Sequence, residues 1–254
     1  MNMLKYYVYV SESKVDMLHS QIPPSIRNKL EAEVKLNLQL AEVSFSKKQF
    51  SDNLYTKLNL VIDYLDKQNV IGSIGEPLEY FRGTLHMGWA QIYPSVLFFG
   101  GTSNETTIGL GGSMNNLLGY SWDVAKVPQG ISHTPWLVSV LSKEIEFLVP
   151  FDPVNTRYGR VEHGSVENTP KDEYEKRVLS ATSLWVNDIL SYSDQKLKEA
   201  VASGRDYVVN PSQPRYQINK FEFVAKALRY SSSDPNKLSA KVLLGTPVYV
   251  SKID

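Results

Sequence analysis

The stretch best suited to holding a ligand is Gly109-Leu110-Gly111-Gly112-Ser113, followed by Met114-Asn115-Asn116-Leu117-Leu118. Three glycines and a serine end an apolar run and lead into a short helical turn. Glycine removes the side chains that would block a ligand and permits positive φ. Backbone N–H groups at such a turn can converge on an anion, and the first turn of a helix adds free N–H groups and partial positive charge. Asn115 and Asn116 bring side-chain donors. Gly109, Gly111, Gly112, Ser113, Asn115 and Asn116 are therefore the candidate ligand-binding residues, and the expected ligand is a small anion. The competing reading is a tight strand-to-helix turn in which Ser113 is only the N-cap. The stretch lacks the lysine of a phosphate-binding loop and the spacing of a dinucleotide fingerprint.

Other reactive side chains form no known constellation. His19, His86, His133 and His163 never pair at metal-ligand spacing, so no metal site is expected. Glu162-His163, near Asp152 and Arg157, reads either as a loop-borne acid–base pair or as exposed loop. Arg82, Thr84 and His86 alternate with apolar residues and so share one face, either a pocket wall or plain solvated surface. No nucleophile elbow appears, and no residue is assigned a catalytic role. Tyr6, Tyr7 and Tyr9 suit base stacking or, more simply, core packing.

Composition narrows the classes. The chain has 254 residues, 27 basic and 27 acidic side chains and no cysteine. Disulfides, iron–sulfur clusters, thiolate zinc and a cysteine nucleophile are excluded. The charge balance argues against a dedicated nucleic-acid binder. No stretch reaches the roughly 18 apolar residues of a spanning helix, and the opening MNMLKYYVYVSESK lacks the marks of a signal peptide. Neither a membrane nor a cofactor is expected, and the chain reads as cytoplasmic. Protein partners are not legible.

These residues need elements to position them. Residues 4–10 read as a strand covered on both faces, followed by a short helix carrying Val15, Leu18 and Ile22. Val34, Leu36, Leu38 and Leu40 alternate with polar residues, which predicts a strand over 33–46 with a bulge near Leu40–Glu42. The rival reading is a helix from Pro24 to Leu40 with Ile26, Leu30 and Val34 on one face. Leu54, Leu58, Val61, Ile62 and Leu65 predict a helix capped by Asp52. Residues 78–92, 95–101 and 106–112 predict an antiparallel meander, with a turn at Asn104 and with Phe81, Leu85, Met87 and Trp89 on one side. Gly100-Gly101 then lies at the same end of the sheet as the glycine-rich stretch.

Helical spacing continues over 136–148 and, after Thr169-Pro170, over 170–202. Residues 151–168 read as a loop. Asn219-Lys220-Phe221-Glu222 fits a capping box opening a helix over 219–230. Residues 241–253 read as a last strand, broken by Gly245 and Pro247. The class is α+β, a mainly antiparallel sheet from the N-terminal half and the C-terminal strand with helices packed against it, in a single domain over 1–254.

The blocks YYVYVSESKVDML, VLFFGG, GLGGSMNNLLG, FEFVAKAL and VLLGTPVYV resemble a bacterial family of uncharacterised proteins, a domain of unknown function. The resemblance implies a bacterial, soluble protein and carries no activity. Three function classes remain: a non-enzymatic ligand-binding or regulatory module, a hydrolase or transferase whose residues are scattered in sequence, and an interaction protein of a multi-component bacterial system such as defence.

Overall fold

The computed structural model describes residues 5–39, 53–93, 96–103, 106–119, 137, 171–191, 215–231 and 241–253. Their elements run β1 (Tyr6–Val10), α1 (Glu12–Gln21), α2 (Pro24–Gln39), α3 (Leu54–Lys67), β2 (Ile71–Gly72), β3 (Tyr80–Tyr93), β4 (Val96–Ser103) and β5 (Thr106–Ser113). A 3-10 turn (Met114–Asn116), α4 (Lys171–Ser191), β6 (Arg215–Ser231) and β7 (Lys241–Lys252) follow. The α+β class holds.

β3, β4 and β5 form the expected antiparallel meander. β5 pairs β7 in parallel, β7 pairs β6 antiparallel, and β6 returns antiparallel to β3. The ring β3-β4-β5-β7-β6 is therefore closed, which removes its free edges. β1 extends it by pairing with β7 beyond the end of β5, and β2 pairs with the start of β3. The third and fifth barrel strands are parallel, and a helix joins the third to the fourth. That is the Greek-key connectivity of OB-type barrels.

Several expectations are corrected. Residues 33–39 continue helix α2 instead of forming a strand; Pro24 supplies its first turn, and Ile26 and Leu30 face the core. The expected bulge near Leu40–Glu42 lies outside the described residues. Residues 219–230 are strand β6, not a helix. Phe221, Phe223 and Ala225 line the barrel interior while Val224 packs outside it. Lys220, Glu222 and Lys226 do alternate with the inward residues, but the apolar outer residues Val224 and Leu228 complete a helical spacing by coincidence. β1 is an edge strand with only Tyr9 and Val10 fully buried. β7 runs unbroken through Gly245 and Pro247, with a register shift opposite the proline that accommodates its missing N–H. Asn53, not Asp52, caps α3, its Oδ1 accepting from the Tyr55 N–H at 2.8 Å. Asn104, the 151–168 loop and, Leu137 apart, the 136–148 helix lie outside the described residues.

The barrel interior is filled by side chains. Phe81, Leu85, Met87 and Trp89 point inward from β3 as their spacing requires, against Phe99, Leu110, Phe221, Phe223 and Leu243. Rings of Phe81 and Phe223 meet edge-on at 5.7 Å, and Phe99 and Phe221 at 6.1 Å. α1 and α3 cover one outer face through Val15, Leu58, Val61 and Leu65, which pack on Val10, Val224 and Val248.

α4 covers the outer face of β3, β4 and β5. Register places Gly88 beside Gly100 and Gly100 beside Gly109, a row of glycines across three strands. A Cβ would stand 2.6 Å from Ile189 Cγ2 at Gly88, 3.1 Å from the Val186 Cα at Gly100, and 2.7 Å from Thr182 Cγ2 at Gly109. The row is a trough in which the helix lies against the sheet backbone. Gly109→Ala is expected to destabilise by about 1–3 kcal/mol in urea unfolding, because the methyl meets Phe98 and Thr182. Gly75→Ala, whose methyl would come no nearer than 4.0 Å to Ser73 Oγ, is expected to stay within about 0.5 kcal/mol of wild type. Equal effects of the two would show that the trough is not needed.

Candidate functional site

Three pieces of chain meet where β5 ends: β1, the first turn of α1 and the 3-10 turn. A register shift between Tyr7 and Tyr9 makes Val8 an extra residue in β1. Bulges re-aim the side chains that follow them. Here Tyr7 stays outside beside Tyr55 and Tyr249, while Tyr9 enters the barrel end and meets Phe99 edge-on at 6.0 Å.

The Tyr9 hydroxyl gathers the local polar groups. It accepts from Asn116 Nδ2 at 3.1 Å, with the Ser113 backbone and the Ser11 hydroxyl beside it. Burial pushes the phenol pKa up, more than these bonds lower it, so Tyr9 stays neutral. Ser11 holds the N-cap position of α1 but does not cap the helix with its side chain. Its N–H donates to the Val248 carbonyl at 2.9 Å, and its hydroxyl faces Tyr9 and Lys14.

Lys14 completes the group. Its Nζ donates to the Pro247 carbonyl at 3.2 Å and to Ser11 Oγ at 3.4 Å. Among the described residues no carboxylate pairs with it. Desolvation by burial pushes its pKa down to about 8. A chain of contacts thus runs from Lys14 through Ser11 and Tyr9 to Asn116 and Ser113.

The sequence candidates divide around this site. Ser113, Asn116 and Gly112 belong to it. Ser113 caps the 3-10 turn, its Oγ accepting from the Asn115 N–H at 3.3 Å, and Asn116 gives its amide to Tyr9. Asn115 is exposed at the rim. A Cβ at Gly112 would meet the Tyr9 hydroxyl, so this glycine makes room for the phenol. Gly109 and Gly111 point the other way, toward Thr182 and Leu137. None of the three glycines has positive φ; all lie inside β5, paired with β4, and the turn begins only after Ser113. Gly100 belongs to the α4 trough, and Gly101 leaves interior space for Leu85 and Met87. His86, Arg82 and Thr84 do share one exposed outer face. His133, Asp152, Arg157, Glu162 and His163 lie outside the described residues.

Sequence reasoning missed Lys14 because Pro247, 233 positions away, supplies half of its surroundings. It also missed an ionic cluster on the outer face of β6. Glu222 accepts from Lys5 Nζ and from the Tyr249 hydroxyl, each at 2.5 Å, while Arg82 reaches both oxygens of Asp66. Burial pushes the Glu222 carboxyl up, but its hydrogen bonds from Lys5 and Tyr249 and the nearby charges leave it below the usual carboxylate range. Burial, with Glu222 beside it, holds the Tyr249 phenol well above its ordinary value. Read as the capping residue of a helix, Glu222 gave no sign of this role.

The chain belongs to DUF7019, a family of unknown function whose pattern matches residues 5–254. No curated protein and no solved structure matches it. No helix among the described residues is long and apolar enough to cross a membrane.

The lowered pKa of Lys14 has a sign that stability measurements can read. A lysine that titrates at about 8 folded and at 10.5 unfolded carries its full desolvation penalty below pH 8, and the penalty fades as pH rises toward 10.5. Lys14→Met is therefore expected to be more stable than wild type by about 1–3 kcal/mol at pH 7. The gap should narrow steadily between pH 8 and 10.5. A variant less stable than wild type at pH 7 would show that the ammonium is well solvated or paired.

Proposed function

We propose that this DUF7019 protein is a ligand-binding module that holds the anionic group of a small molecule against Lys14, where β1, α1 and the turn after β5 meet. The observation that carries the reading is the Lys14 ammonium, largely desolvated and without a carboxylate among the described residues. A buried charge is stabilised only by a partner, and a bound anion is the partner that the described residues do not supply there. Asn115 at the rim, and Ser113 and Asn116 below it, add polar contacts on the side of the glycine-rich stretch.

The binding reading is favoured over an enzyme because the hydroxyls beside Lys14 are engaged in one another. Ser11 is only 1% exposed and its oxygen already bridges Tyr9 and Lys14. The fold does not decide the matter by analogy. The outer face of strands two and three, where OB-type barrels bind their ligands, is filled here by α4. A cysteine-free, charge-balanced chain of this kind suits the bacterial cytoplasm, where phosphate esters and small carboxylic acids are abundant.

Thermal-shift screening of inorganic phosphate, nucleotides and small carboxylic acids at pH 7 tests the reading. At least one anion is expected to raise the melting temperature of wild type and not of Lys14→Met. Because an anion holds the protonated lysine, the shift should shrink as pH rises through about 8. If no anion shifts wild type, or if Lys14→Met responds equally, the reading fails.

A further inference from the structure

Lys14 and Ser11 stand at Ser-x-x-Lys spacing, and their contact at 3.4 Å invites the assignment of the serine as a nucleophile. Exposure assigns the roles differently. Ser11 is sealed, whereas Lys14 keeps part of its surface in solvent. Of the pair, Lys14 is the residue that keeps surface open to solvent. Its two hydrogen-bond partners, a serine hydroxyl and a proline carbonyl, are both uncharged, so no carboxylate among the described residues holds it protonated.

We propose that Lys14 is a covalent attachment point, its amine condensing with the carbonyl carbon of a small aldehyde to form an imine. The neutral Nζ adds to the carbonyl carbon and the C=O π bond opens to a carbinolamine. The carbinolamine oxygen then leaves as water, taking both nitrogen protons, and C=N forms. One amine and one carbonyl give one imine and one water, with no oxidant or reductant. Ser11 Oγ, within reach of Nζ and joined to Tyr9, can pass the proton between nitrogen and departing oxygen. The state of the amine agrees with the geometry: at about 8 rather than 10.5, roughly 300 times more of it is neutral at pH 7 than of an ordinary lysine.

The inference shares the Lys14 site with the proposed function but does not need anion binding, and the probe is chosen accordingly. Propanal carries no charge. Full-length protein treated at pH 7 with limiting propanal and cyanoborohydride, which reduces the imine to a stable propyl group, is digested and mapped by mass spectrometry. Lys14 is expected to be modified at least tenfold faster than Lys220, an exposed lysine on β6 that serves as the internal standard. In Ser11→Ala the fast modification should slow severalfold while the Lys220 rate stays fixed. Lys14→Arg, which keeps the charge, should show no fast site, with unchanged melting as the control for folding. If Lys14 reacts no faster than Lys220, the attachment point is refuted whether or not anions bind. Fast propanal modification without any anion response would refute the anion reading alone.

Discussion

The glycine row Gly88–Gly100–Gly109 is the constraint on which the arrangement rests. A closed five-stranded barrel fills its own interior with side chains and must still bury the apolar outer faces of its strands. Helix α4 does this for β3, β4 and β5, and it approaches so closely that any side chain along the row would strike Ile189, Val186 or Thr182. Close approach lets Val178, Ala181 and Val186 reach Phe98 and Leu244 on either side of the trough. Glycine in a strand weakens it through backbone entropy. Pairing on both sides of β4 and contact with α4 offset that loss, so the cost falls where the sheet is best supported.

Inside the barrel the same residue type serves a second purpose. Gly112 and Gly245 leave space for Tyr9 and Phe81. Tyr9 reaches that space only because of the extra residue at Val8, which turns it from the outer face to the inner one. The candidate site is thus built on rigid parts. A bulge aims the phenol, a glycine admits it, and the phenol fixes Ser11, Asn116 and the start of the 3-10 turn. Lys14 stands at the open end of this chain in the first turn of a helix whose start is tied to β7 through Ser11 and Val248.

Much of this frame was legible. The meander showed itself because β3 presents Phe81, Leu85, Met87 and Trp89 on one two-residue period, with Gly83 between the first two, and α3 because its apolar residues keep the helical period. β6 was not legible because Val224 and Leu228 interrupt the polar outer face that Lys220, Glu222 and Lys226 mark, and with Phe221 and Ala225 they fall at helical spacing. α2 was misread for the opposite reason: Val34, Leu36, Leu38 and Leu40 happen to alternate, although Pro24, Ile26 and Leu30 already start a helix that reaches Gln39. The glycine-rich stretch stands out in the sequence, but composition alone does not say whether the missing side chains make room for a ligand, a helix or a tyrosine. Lys14 reads as an ordinary polar residue of a short helix until β7 is folded against it.

Where function resides follows from what is already occupied. The barrel interior is solid with aromatic and aliphatic side chains, the outer face of β3 to β5 is under α4, and the outer face of β6 and β7 is largely under α1 and α3. What stays polar on that last face is mutually satisfied: Glu222 with Lys5 and Tyr249, Arg82 with Asp66. These groups need no ligand, and the exposed Arg82–Asp66 pair adds little to stability. Lys14 differs from all of them in kind. Burial works against its charge, and no carboxylate among the described residues offsets that cost. Stability at such positions is commonly traded for chemistry, and the proposed role of Lys14 toward a second molecule rests on that trade.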